Sequence, residues 1–168
     1  MENASNISKL IYTWLMLFVV WLAFTSTLAT AEVLTGVFVS LIVALFSFRF
    51  FTGTGLSVFA PKKIMYMVQY FFVFIIALIK ANFHVAKIVL SPKLPINPGI
   101  VEFETALKSD FAKMILANSI TLTPGTFTVD IVENRYYIHW LEVSATDEEN
   151  VYKEIAESFE KILLKIYQ

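Results

Sequence analysis

Few side chains in this 168-residue chain can do chemistry, and their spacing points to surfaces rather than to catalysis. Cysteine is absent, which removes a thiolate nucleophile, a thiolate metal site and any disulfide framework. His84 and His139 are the two histidines, and they do not share metal-ligand spacing, so no metal or other cofactor is expected. His84 stands with Lys80 and Lys87 at i, i+4 and i+7, which puts three cationic or protonatable groups on one face of a helix. Such a face suits lipid headgroups or a partner subunit, and a proton relay is the rarer alternative. His139 alternates with expected core positions and should face solvent. Glu148, Glu149, Glu154, Glu157 and Glu160 read as the solvated side of a helix, not as a catalytic carboxylate pair. No serine or threonine has a base in suitable context, so the chain is expected not to be an enzyme and to bind no small-molecule substrate by itself.

The densest local signature is Leu116-Ala-Asn-Ser-Ile-Thr-Leu-Thr-Pro-Gly-Thr-Phe-Thr-Val-Asp130. Pro124-Gly125 fits the two central positions of a type II turn, with Gly125 at positive φ, and Asn118, Thr121, Thr123, Thr126 and Asp130 surround it. The stretch lacks the glycine spacing and the lysine of a phosphate-binding loop. It is therefore expected to be a helix-to-strand connector with a fixed turn, and a docking surface is its second possible use.

The elements that must position these groups divide the chain in two. A hydrophobic content of 57% and a mean hydropathy of +0.67 exceed the ordinary soluble range and predict an integral membrane protein. Residues 1–92 carry 6 Lys/Arg and 2 Asp/Glu, whereas residues 93–168 carry 7 and 12, so a basic membrane half precedes an acidic tail. The acidic tail argues against nucleic acid as a partner, and the basic half suits membrane lipids. Apolar helices are expected at about 10–28, 33–51 and 65–90. Gly36 and Ser40 form a small-xxx-small pair in the second that would let another helix approach closely. Ala29-Thr30-Ala31 reads as a tight turn rather than a cleavage site, because a further apolar helix follows at once. Arg49, Thr52-Gly53-Thr54-Gly55 and Pro61-Lys62-Lys63 make a basic, breaker-rich loop.

The third stretch does not settle its own topology. Its uncharged part, 65–79, rises only about 22 Å, while 65–90 would rise about 39 Å against a hydrocarbon core of roughly 30 Å. A lysine at the bilayer centre costs roughly 2.5 to 3.5 kcal/mol, which places Lys80 near a headgroup layer. Lys/Arg counts put the 49–63 loop on the cytoplasmic side, yet Lys80, Lys87 and Lys93 favour that same side for whatever follows the third stretch. The two agree only if the third stretch does not cross or if one charge signal misleads.

Three prolines at 92, 95 and 98 predict a stiff linker over 93–99 between a membrane domain (1–92) and a soluble domain (100–168). Alternation predicts strands at 100–105, 126–132 and 136–141, with Val101 and Phe103 on one face of the first and Tyr136, Ile138 and Trp140 on one face of the last. In 126–132 it groups Phe127, Val129 and Ile131, and Glu133-Asn134 makes the hairpin turn. A 3-to-4 period through Phe111, Met114, Ile115 and Asn118 predicts a helix at 110–120. Val151, Ile155, Phe159, Ile162, Leu163 and Ile166 predict an amphipathic helix at 147–167, capped by Thr146 or Asp147. The fold class is thus two to three hydrophobic helices followed by a small α+β domain of order β-α-β-β-α.

Several of these segments together resemble a family. Residues 80–92 (KANFHVAKIVLSP), 98–101 (PGIV), the 116–126 stretch with Val129-Asp130, and 137–141 (YIHWL) are similar to the E subunit of Mrp/Mnh-type multisubunit Na+/H+ antiporters. The likeness covers nearly the whole chain, with SITLTPGT its most specific part and residues 1–60 matching in hydropathy only. It implies a small subunit of a bacterial cell-membrane complex that exchanges sodium for protons, with other hydrophobic subunits as partners and a cytoplasmic C-terminal domain. Residues 10–28 and 33–48 contain no Asp, Glu, Lys, Arg or His, so these spans offer no ionisable groups for an ion path. The function expected is therefore an accessory, non-catalytic subunit that supports assembly and stability. The alternative is a stand-alone membrane anchor presenting a small interaction domain.

Overall fold

The structure, a computed structural model, describes residues 5–51 and 60–167, with side-chain environments described up to residue 48 before the gap. The expected breaker loop at 52–55 and the Arg49 side chain lie outside the described residues. Two compact units are present, Met1–Pro61 and Lys62–Gln168.

The first unit is a helix hairpin, α1 (Asn6–Thr25) and α2 (Thr30–Phe51). The Ser5 hydroxyl caps α1 by accepting from Ser8 N at 3.2 Å, and Ser26 closes it in the left-handed region, φ 51°. Small residues let the helices meet. Gly36 lies against the Trp21 indole, where a Cβ would collide with the ring, and Ser40, Ala44 and Thr13 are buried in the same seam. The indole N–H groups of Trp14 and Trp21 donate to the carbonyls of Val37 (3.2 Å) and Glu32 (3.1 Å). Both aromatic rings thus satisfy their one polar atom on the partner helix.

The second unit opens with α3 (Pro61–Leu90), proline standing at the first helical position where its missing N–H costs nothing. Then come β1 (Gly99–Glu104), α4 (Asp110–Leu122), β2 (Thr126–Val132), β3 (Arg135–Trp140), α5 (Glu148–Ile155) and α6 (Glu157–Tyr167). The sheet is antiparallel with order β1-β3-β2. Val101, Phe103, Tyr136 and Ile138 point into a core completed by Leu116, Val151, Phe159 and Leu163, and Phe103 stacks on Tyr136 at 5.1 Å. All three of the described N-terminal helices are long and apolar enough to cross a membrane.

Four details depart from the periodicity reading. On α4 the buried stripe is Ala112, Leu116, Ser119 and Ile120, while Phe111, Met114 and Asn118 are exposed. On β2 a bulge between Thr128 and Asp130 shifts the register, so Thr126 and Thr128 face inward before it and Ile131 after it, leaving Phe127 and Val129 exposed. The last helix forms in two pieces, turning at the fully buried Ala156 so that both halves keep their apolar residues on the core. Asp147 is its cap, accepting from Asn150 N at 3.1 Å. The fourth is Glu160, which is 1% exposed rather than solvated. Its carboxylate accepts from the Thr105 hydroxyl at 2.6 Å and from Ala106 N at 2.9 Å, fastening the loop after β1 to α6.

Candidate functional site

The threonines of the 116–130 stretch tie α4 to β2. At the end of α4, Thr123 Oγ1 donates to Ser119 O (2.8 Å) and Thr126 Oγ1 donates to Ile120 O (2.8 Å), adding to the bonds that Thr123 N makes with the same two carbonyls. Thr128 Oγ1 donates to Ala117 O at 3.1 Å, and Thr121 Oγ1 accepts from Thr128 N at 3.2 Å. Between them Gly125 holds φ +96°, the conformation that glycine adopts at least cost, and its carbonyl accepts from Leu141 N at 2.8 Å. Asp130 Oδ1 accepts from Ile131 N at 2.7 Å beside the bulge, and Asn118 is exposed on α4.

This turn abuts α3. A Cβ on Gly125 would come within 3.4 Å of Val85, so the turn and the cationic face of α3, distant in sequence, are adjacent in space. They border a cleft of about 710 Å³ whose walls carry Lys80 and His84 on α3, Thr123, Pro124 and Thr126 from the turn, and Trp140, Glu142, Ser144 and Glu154 from the sheet end and α5. His84 Nε2 lies 2.8 Å from Glu142 Oε2, and Ser144 Oγ donates to Glu154 Oε2 at 2.7 Å. An ammonium and an imidazole on one wall thus face carboxylates on the other. The His84–Glu142 side chains are 60% and 40% exposed, so their pairing contributes at most about 1 kcal/mol. Lys87 is exposed on α3 outside the cleft, and Gly36 and Ser40 belong to the helix hairpin described above. Among the described residues no three His, Asp or Glu side chains gather in a group that could hold a metal ion.

Burial, then the neighbouring Glu160 carboxylate, pushes the Tyr152 phenol up to about 12. The same two causes raise Tyr136, whose hydroxyl donates to Lys113 O at 2.8 Å. Asn150, through its side chain and backbone N–H, holds Asp147 below the usual carboxylate range. Glu148, then Glu102, raises the exposed Arg135, which bridges β1 and α5. Sequence reasoning did not single out Glu142 or Ser144 and read Glu154 as part of a solvated helix face, because all three acquire these partners only through folding.

The chain is thus an integral membrane protein in which an apolar helix hairpin is followed by an α+β module built on a third apolar helix. The family model for MNHE, Na+/H+ ion antiporter subunit, matches residues 14–166. The E subunit of the Na+/H+ antiporter of Bacillus subtilis is 37% identical over 148 residues, covering 87% of this chain and 90% of that protein. Its counterpart in Alkalihalophilus pseudofirmus is 34% identical over 152 residues, covering 90% and 94%. Among solved structures, a chain of the membrane-bound sulfane sulfur reductase, an archaeal respiratory membrane complex, shares 45% identity with a TM-score of 0.85, covering 95% of this chain and 99% of that one. The chain belongs to the MNHE family of Na+/H+ antiporter subunits.

Proposed function

We propose that this protein is an accessory subunit of a multisubunit sodium/proton antiporter in the cell membrane, bracing the assembly without carrying ions itself. The observation that carries the reading is the hairpin: α1 and α2 pack on small and aromatic side chains, and their spans at 10–28 and 33–48 contain no Asp, Glu, Lys, Arg or His, the groups that mark ion pathways. Membership in a family of antiporter subunits supports the same conclusion. Residues 1–92 are the membrane-associated part, 93–99 the connection, and 100–168 a domain on the cytoplasmic side. Asn97 N donates to Leu141 O at 3.1 Å and Asn97 O accepts from Val143 N at 2.9 Å, so the connection is held to the sheet end. Lys80, His84, Lys87 and the 118–130 turn are surfaces for lipid or for other hydrophobic subunits.

Extraction of native membranes in a mild detergent tests this, with an affinity tag on the chain. Large polytopic membrane subunits should co-purify at fixed ratio; recovery as a free small protein would favour the stand-alone anchor instead. One observation favours a second host. The 45% identical solved chain comes from an archaeal respiratory complex, so an assembly with redox-active partners is the competing reading. A redox-inactive purified complex supports the antiporter; a reducible chromophore in it supports the respiratory assembly.

A further inference from the structure

One face of α3 is covered and the other is open, and their separation bears on how this helix meets the membrane. One face docks on the α+β core. Tyr70, Val73, Phe74 and Ala77 pack against it, the Phe159 ring lies 6.0 Å from Tyr70 and 6.4 Å from Phe74, and the Tyr70 hydroxyl meets Ser119 Oγ at 2.6 Å. The docking runs nearly end to end. Lys165 Nζ sits 5.4 Å over the Tyr66 ring near the start of α3, and His84 with Glu142 and Val85 with Gly125 close the far end. From Tyr66 to Val85 the helix rises about 29 Å, the thickness of a bilayer's hydrocarbon core.

The other face is apolar and uncovered. Met65, Val68, Phe72, Ile76, Ile79 and Phe83 recur every three or four residues and are 49–75% exposed. Asn82 on this side turns its amide back to Leu78 O at 2.8 Å. Along one border between the two faces run Lys62, Gln69, Lys80 and Lys87, all exposed and in helical register.

We propose that α3 does not cross the membrane but lies in its plane, with the Met65–Phe83 face sunk into the acyl boundary of an anionic leaflet and the lysine border at headgroup level. A crossing helix would carry the docked module alongside it through the hydrocarbon, together with its ion-paired surface side chains, Arg135 with Glu102 and Lys153 with Glu149, and the outer edge of its three-stranded sheet. Hydrocarbon tolerates neither the charges nor the unpaired strand edge. An in-plane helix with an apolar face of this width and lysines at its border satisfies both demands. It also removes the topological conflict in the sequence: with two crossings only, Arg49, Lys62, Lys63, Lys80, Lys87 and Lys93 fall on one side, as basic residues prefer. The inference concerns lipid and holds for either host complex.

Because the chain has no cysteine, single-cysteine variants report without background. Met65→Cys, Phe72→Cys, Ile79→Cys and Phe83→Cys are spin-labelled in the intact complex, in nanodiscs containing phosphatidylglycerol, and label depth is read from relaxation by oxygen against a water-soluble nickel chelate. All four labels should report one shallow depth, within about 10 Å of the headgroups. A depth that sweeps from one leaflet to the other along the helix would overturn the proposal in favour of a span. Immobilised labels reached by neither reagent would overturn it in favour of a protein partner. Asn82→Cys, already polar on the same side, supplies the reading should an apolar position weaken assembly.

Discussion

Gly125 and Glu160 show two ways in which one residue governs this module. At φ +96° Gly125 lets the chain leave α4 and enter β2 within three residues while its carbonyl joins the sheet end. Gly125→Ala forces a left-handed backbone on an L-residue, at about 1–2 kcal/mol, and sets a methyl at contact distance from Val85. Its thermal midpoint in detergent should fall relative to wild type by several degrees; an unchanged midpoint would show that the turn tolerates a side chain. The position was legible because Pro-Gly between a helical and an alternating segment has a stereochemical meaning by itself. Glu160 was not. A glutamate beside Lys161 in an amphipathic helix reads as solvent-facing until Thr105 and Ala106, which give it its hydrogen bonds, arrive from more than fifty residues away.

At the scale of elements, the decisive contact is α3 against α4 and α6. Ser119 is buried on α4 with its hydroxyl bonded both to Ile115 O (2.9 Å) and to the Tyr70 hydroxyl (2.6 Å), and this polar anchor lies on a different helix face from the one that Phe111 and Met114 would suggest. Tyr70→Phe and Ser119→Ala should each cost about 0.5–1.5 kcal/mol, and the double variant should cost less than their sum. Strict additivity in pulse proteolysis would mean that the pair does not hold α3 to the module. The alternating pattern placed β1 and β3 correctly, since each presents one face to a single core. It misjudged β2, because threonine hydroxyls that bond α4 carbonyls compete with phenylalanine and valine for the inward face, and a bulge gives them that face. The amphipathic stripe of α5 and α6 was readable over its full length, but its turn at Ala156 was not, because alanine carries no signal for a helix break.

The whole molecule joins a helix hairpin whose 10–28 and 33–48 spans carry no Asp, Glu, Lys, Arg or His to a module whose elements are cross-linked by side-chain hydrogen bonds. Reconstituted in liposomes without partners, the chain should show no sodium-driven proton movement with an entrapped pH indicator; sustained exchange would contradict an accessory role. Composition and periodicity by themselves determined that the chain is a membrane protein, the order of its helices and strands, a cap at Thr146 or Asp147, and the glycine turn, because each of these depends on neighbours within a few residues. Tertiary structure alone decided which side of α4 and β2 is buried, why Glu160 is inside, and how the apolar surface of α3 is divided between a protein face and an open one. Hydropathy cannot make that division: both sides of α3 carry large apolar side chains, and only the docked module shows which of them is already covered.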